Sequence, residues 1–220
     1  MVFNGFPREF VDFLLSLNYN NTMEAMPSNK AEYKRLISEP LARLHGELAP
    51  VVSEISGSVI TKPSKCISSM YSDMRFSRGN PLKGYMYLRF REPAEKDILG
   101  FYFDMGPEYY SYGIRIYKQT SAGMEKIREY ALVNAASFTV ELQKAAKLGM
   151  EIFGDSFARD RYPDVSDTTL KELLNKKSFY IGSKNEELTD AFDAGLLDKL
   201  VESYKSLGGL YLHLKNALYG

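Results

Sequence analysis

Apolar residues along this chain recur first with helical spacing, then with period two, then with helical spacing again. Phe6, Phe10, Phe13, Leu14 and Leu17 stand three and four apart, which predicts a helix with one buried stripe, ended by Asn18 to Asn21. The pattern resumes at Tyr33 and runs through Leu36, Ile37, Leu41, Leu44, Leu48, Val51, Val52 and Ile55, in phase across Pro40. Proline removes a backbone donor, so a long helix kinked or broken near Glu39-Pro40 is expected.

After Gly57 the alternation becomes strand-like. Met86, Leu88 and Phe90 alternate with Tyr85, Tyr87, Arg89 and Arg91; Leu99, Phe101, Phe103 and Met105 alternate with Tyr102 and Asp104. Tyr110, Tyr112, Ile114 and Ile116 oppose Ser111, Arg115 and Tyr117, and an earlier stretch, 65–75, places Tyr71, Asp73 and Arg75 opposite Met70 and Met74. Gly-Asn-Pro at 79–81 and Gly-Pro at 106–107 suit the turns. An antiparallel meander of about four strands follows.

Helical stripes return with Met124, Ile127, Tyr130 and Ala131, for which Ser121 is the expected N-cap, and with Phe138, Leu142, Ala145 and Ala146. A short helix around 170–174, a strand around 179–181 and two final helices broken at Gly208-Gly209 complete the pattern. The expected fold class is α+β: an antiparallel sheet of about four or more strands, helices on its apolar face and an N-terminal helical segment. No linker or repeat divides it, so one domain is expected over 1–220, with a helical part (1–56), a meander (65–117) and a mainly helical part (121–220).

Composition narrows the chemistry. The chain has 220 residues, 45% of them hydrophobic and 25% charged, which is ordinary globular composition. One Cys and two His support neither a disulfide framework nor a Cys/His zinc site within the chain. No metal site and no cofactor is expected, because Walker and dinucleotide-binding glycine patterns are missing. The first 21 residues carry Arg8, Glu9 and Asp12 and so make no signal peptide, and no run of about 18 apolar residues exists to span a membrane. A soluble, cytoplasmic protein without membrane partners is expected.

Lys and Arg total 28, as do Asp and Glu, so the formal net charge is zero. That balance disfavours a general polyanion binder and makes nucleic acid a poor partner. It is also a cancellation. Segment 65–91 sets Lys65, Arg75, Arg78, Lys83, Arg89 and Arg91 against Asp73 alone, whereas 186–202 sets Glu186, Glu187, Asp190, Asp193, Asp198 and Glu202 against Lys199. The two segments either face each other or water, or the basic one marks a binding surface.

On the expected sheet the polar face gathers Tyr71, Asp73, Arg75, Tyr85, Tyr87, Arg89, Arg91, Tyr102, Asp104, Arg115 and Tyr117. Guanidinium forks bind carboxylate or phosphate, and tyrosine adds stacking area and a hydroxyl, so the face suits a partly planar anion. Cross-strand Tyr–Arg pairs could equally be scaffold. The ligand-binding candidates are Tyr71, Asp73, Arg75, Arg78, Lys83, Arg89, Tyr102 and Arg115. An Asp among cations such as Asp73 should stay ionised and orient rather than act as an acid; no catalytic residue is assigned. His45-Gly46-Glu47 imitates half of a deaminase signature without the cysteine pair, and Cys66 would need His45 or His213 beside it to act as a nucleophile.

Asn29-Lys30-Ala31-Glu32-Tyr33, Tyr71-Ser72-Asp73-Met74-Arg75-Phe76-Ser77, Pro81-Leu82-Lys83, Gly100-Phe101-Tyr102-Phe103, Tyr112-Gly113-Ile114-Arg115-Ile116-Tyr117 and Lys176-Lys177-Ser178-Phe179 follow one another along the chain. In this order they resemble the family catalogued as domain of unknown function 2461, over nearly the whole chain. Ser72 and Leu82 depart from the family's usual Arg and Tyr. The resemblance implies a single α+β domain in mostly bacterial, cytoplasmic proteins of no assigned activity, and supplies no catalytic residues. The functional expectation is a binding module for a phosphorylated or carboxylated small molecule. The alternatives are an enzyme acting on such a molecule, a single-strand nucleic-acid binder, or a purely structural face. Oligomeric state is not legible.

Overall fold

A computed structural model of the chain describes residues 2–22, 26–72 and 81–220. Helix α1 (Phe10–Tyr19) starts later than its apolar stripe, because Phe6 packs ahead of it, stacked on Phe103 with ring centroids 6.2 Å apart. Helix α2 (Met26–Tyr33) passes through a π-helical turn, Lys34–Ser38, into α3 (Glu39–Ile55). The expected irregularity near Pro40 is this turn. Pro40 has no N–H to offer the Leu36 carbonyl, and the ladder widens so that Glu39 N–H donates to Lys34 O.

The stretch expected as a first strand is different. Its described part, up to residue 72, begins with a single helical turn, α4 (Pro63–Cys66), and then makes isolated bridges, Ile67 with Leu88 and Tyr71 with Leu82, while 73–75 lie outside the described residues. One reason is local: the Tyr87 N–H donates to the Ser68 hydroxyl at 3.1 Å instead of a backbone carbonyl, which interrupts the ladder. Among the described residues the meander therefore has three strands, β1 (Met86–Arg91), β2 (Ile98–Met105) and β3 (Tyr110–Tyr117).

Helix α5 (Ser121–Val133) is capped by Thr120 rather than Ser121; the Thr120 hydroxyl accepts from Gly123 N–H at 2.9 Å. Then follow α6 (Ala135–Lys147), the short strand β4 (Glu151–Phe153), α7 (Thr168–Leu174), β5 (Tyr180–Gly182) and a 3-10 turn, Leu188–Phe192. Strand β4 had no expectation attached to it; three residues carry too little alternation. The tail is one helix, α8 (Gly195–Tyr219), unbroken at Gly208-Gly209. Two glycines cost about 2 kcal/mol of helix propensity, but Leu207, Leu210, Tyr211 and Leu214 around them are fully buried and hold the turn together.

The fold is α+β, with a five-stranded antiparallel sheet in the order β1-β2-β3-β5-β4. Its apolar face carries Leu88, Phe90, Phe101, Phe103, Tyr112, Ile114 and Ile181 into the core. Against it lie α3, whose His45 stacks on Phe90 at 5.3 Å, and α8, whose Tyr204 and Tyr211 rings lie 4.8 and 4.4 Å from Phe101. The opposite face carries Tyr87, Arg89, Tyr102, Asp104 and Arg115. Among the described residues no helix is long and apolar enough to cross a membrane.

Candidate functional site

The register decides which polar side chains become neighbours. One row across the sheet aligns Tyr87, Asp104 and Ser111; the next aligns Arg89, Tyr102, Gly113 and Gly182; a third aligns Arg91, Gly100, Arg115, Tyr180 and Phe153. Glycine at 182 is required by close approach: a Cβ there would collide with the Tyr102 hydroxyl. The Tyr102 ring thus lies across a floor of bare backbone and is only 1% exposed.

Around it the guanidinium of Arg89 sits 3.8 Å from the Tyr87 ring centre and 5.1 Å from that of Tyr117. Arg115 stands 5.1 Å from the Tyr180 ring and 5.7 Å from Tyr117, and Tyr180 stacks in turn on Phe153 at 4.9 Å. Arg89 Nη2 and Asp104 Oδ1 are 3.9 Å apart, too far for a hydrogen bond, with side chains 23% and 24% exposed. Arg115 has no carboxylate partner among the described residues.

The decisive feature is what these groups lack. Arg89 Nε, Tyr102 OH, Asp104 Oδ1 and Tyr117 OH are all buried and, among the described residues, none has a hydrogen-bond partner. Ser111 lies beside Tyr102 without completing a bond. A buried polar atom left unsatisfied costs about 1–3 kcal/mol, and native proteins leave few of them. Burial also pushes the phenols of Tyr102 and Tyr117 well up, so both stay protonated and can donate. It pushes the Asp104 carboxyl up as well, and the nearby Arg89 and Arg115 only partly offset this.

Of the residues expected at a site, the structure brings together Arg89, Tyr102 and Arg115. Lys83 stands at their rim: its ammonium lies 5.1 Å from the Tyr87 ring and donates to Ser69 O at 3.0 Å. Tyr71 does not join them; it is exposed on the edge piece that bridges to Leu82. Asp73, Arg75 and Arg78 lie outside the described residues. Asp104 and Tyr117 belong to the expected face but were not among the candidates, since nothing in the alternation says which polar residue lacks a partner. Tyr180 arrives on the strand expected around 179–181, and Phe153 on β4, which is too short to register in the alternation.

Beside Arg115 and Tyr180 opens a recess of about 400 Å³, also lined by Gln119, Asp155, Ser178 and Phe179. Arg115 is the member of the Tyr/Arg cluster that borders this recess together with Tyr180. Residues 9–212 match the family described as conserved hypothetical protein (DUF2461). The chain belongs to this family. Its matched region contains the whole Tyr/Arg face. No curated protein matches the chain.

The remaining chemistry is structural. Cys66 donates to Ile60 O at 3.1 Å and burial pushes its thiol up to about 11, so no thiolate forms near neutrality. The acidic segment finds its cation in itself, with Lys199 3.1 Å from both Glu186 and Asp190. Buried Glu92 is held by Ser56, Ser58, Tyr211 and Lys215.

Proposed function

We propose that the protein is a binding module for an anionic small molecule, phosphorylated or carboxylated, held on the Tyr/Arg face of the sheet. The observation that carries this reading is the set of buried groups at Arg89, Tyr102, Asp104 and Tyr117 that lack a partner among the described residues, beside the guanidinium of Arg115, which has no carboxylate partner among them. Three of these side chains offer N–H or O–H donors to one place, and Arg115 adds positive charge, which is what an acid group requires. The recess next to Arg115 has room for the rest of such a molecule.

Thermal-shift screening of anionic metabolites on the wild type and on Arg115→Ala tests it. A ligand at one hundred times its Kd stabilises by about 2.7 kcal/mol, which for a chain of this size is a rise in Tm of roughly 5–10 °C. The rise should largely disappear in Arg115→Ala. Failure of every anion to stabilise the wild type, or an undiminished rise in the variant, would sink the proposal.

A second reading, an enzyme acting on such an anion, is favoured by one observation: the buried Asp104 carboxyl has a raised pKa and can carry a proton close to the bound group. Recovery of a stabilising ligand chemically altered after incubation would establish it, and unchanged recovery would leave the binding module.

A further inference from the structure

The same unpartnered groups specify more than an anion. Arg89 Nε and the protonated phenols of Tyr102 and Tyr117 present donors, and acid-group oxygens satisfy them. Asp104 Oδ1 is different. An ionised carboxylate only accepts, so a plain carboxylate would leave it unsatisfied and add a like charge beside it. Among the described residues Asp104 is the carboxylate whose charge acts on both Tyr102 and Tyr117, so the cluster contains one acceptor amid its donors.

Arg89 does not complete Asp104, because their nearest charged atoms are held 3.9 Å apart. Among the described residues Asp104 Oδ1 and Arg89 Nε both lack a hydrogen-bond partner, and one third group meeting both side chains would complete them. A ligand meeting both must bring an acceptor and a donor that are themselves close together, as on neighbouring carbon atoms. An ammonium donor fits poorly, since Arg89, Arg91 and Arg115 line the same rows of the sheet and would repel it. A neutral hydroxyl provides the donor without added charge.

We infer that the ligand is a hydroxy acid with its hydroxyl on the carbon next to the acid group, the acid meeting Arg89 and Arg115 and the hydroxyl donating to Asp104. This rests on the anion-binding reading above. Asp104 is then the residue that sets specificity, distinguishing the hydroxylated acid from its simple counterpart.

Matched pairs differing by one hydroxyl test it: malate against succinate and lactate against propionate, titrated calorimetrically into the wild type, Asp104→Ala, Asp104→Asn and Arg115→Ala. In the wild type the hydroxylated member should bind about ten-fold more tightly or better, the scale of one hydrogen bond to a charged group. Asp104→Ala should erase that preference while still binding the acids, and Asp104→Asn, which keeps an acceptor oxygen, should retain part of it. Arg115→Ala should weaken both members of each pair together. Equal binding of both members, or a preference unchanged in Asp104→Ala, would overturn the hydroxyl assignment and leave the anion reading standing. Absence of binding by every acid would overturn both.

Discussion

Asp104 shows how much one position can carry that its own neighbourhood in the chain does not announce. In β2 it occupies an ordinary polar site of the alternation, yet the fold half-buries it and, among the described residues, leaves its buried Oδ1 without a hydrogen bond. Its raised pKa has a definite consequence for stability. The ionised form is penalised in the folded state, so the cost is present above the folded pKa and is relieved as pH falls through it toward the ordinary carboxylate value of 3.8. Asp104→Asn should therefore be more stable than the wild type at pH 7, and the difference should shrink toward pH 4. Urea unfolding at both pH values checks this; a variant less stable at pH 7 would show that Asp104 is a structural partner of Arg89. A gain in stability at the expense of ligand preference is the expected signature of a binding group.

Elements show where propensity and packing part ways. Gly208-Gly209 predicts a break, but α8 runs through because its buried stripe on either side anchors it. At Gly208 a Cβ would meet only Ile55 side-chain atoms, at 3.5 Å, an ordinary contact. Gly208→Ala should accordingly stabilise by about 0.5–1 kcal/mol through helix propensity, read from thermal or urea unfolding. Gly182→Ala carries the opposite expectation. Its methyl would strike Tyr102 OH and press on Tyr112 O at 2.9 Å, displacing the ring from the site. Loss of stability together with loss of anion-induced stabilisation is expected there, and an unaffected ligand response would remove Tyr102 from the site. The described part of the 65–75 stretch, residues 65–72, does not form a continuous strand for another local reason, the capture of Tyr87 N–H by the Ser68 side chain, which alternation of apolar residues cannot reveal.

At the scale of the whole molecule the two faces of the sheet have separate tasks. The apolar face binds α3 and α8, and Tyr211 joins both roles of a core residue: its ring stacks on Phe101 at 4.4 Å and its hydroxyl donates to buried Glu92 at 3.0 Å. Tyr211→Phe keeps the packing and removes one donor from Glu92, so a loss of about 1–3 kcal/mol is expected on urea unfolding. A neutral outcome would mean that Ser56, Ser58 and Lys215 suffice. Charge behaves differently from the simplest reading of its pattern. The acidic segment is closed by its own Lys199, and among the described residues the carboxylate facing Arg89 is Asp104 of the adjacent strand.

Amphipathic periodicity alone determined the α+β class, the helical beginning, the three long strands and the division of the sheet into an apolar and a Tyr/Arg face. It could do so because side-chain direction follows from backbone period. Its reach ended at partnership. That Gly113 pairs with Gly182, bringing Tyr180 and Phe153 beside Arg115, was decided by the folded sheet. The lack of a partner for Asp104 was decided there too. Hydrogen bonds and burial between residues distant along the chain depend on register and on what packs above each atom, and neither leaves a local pattern in the sequence.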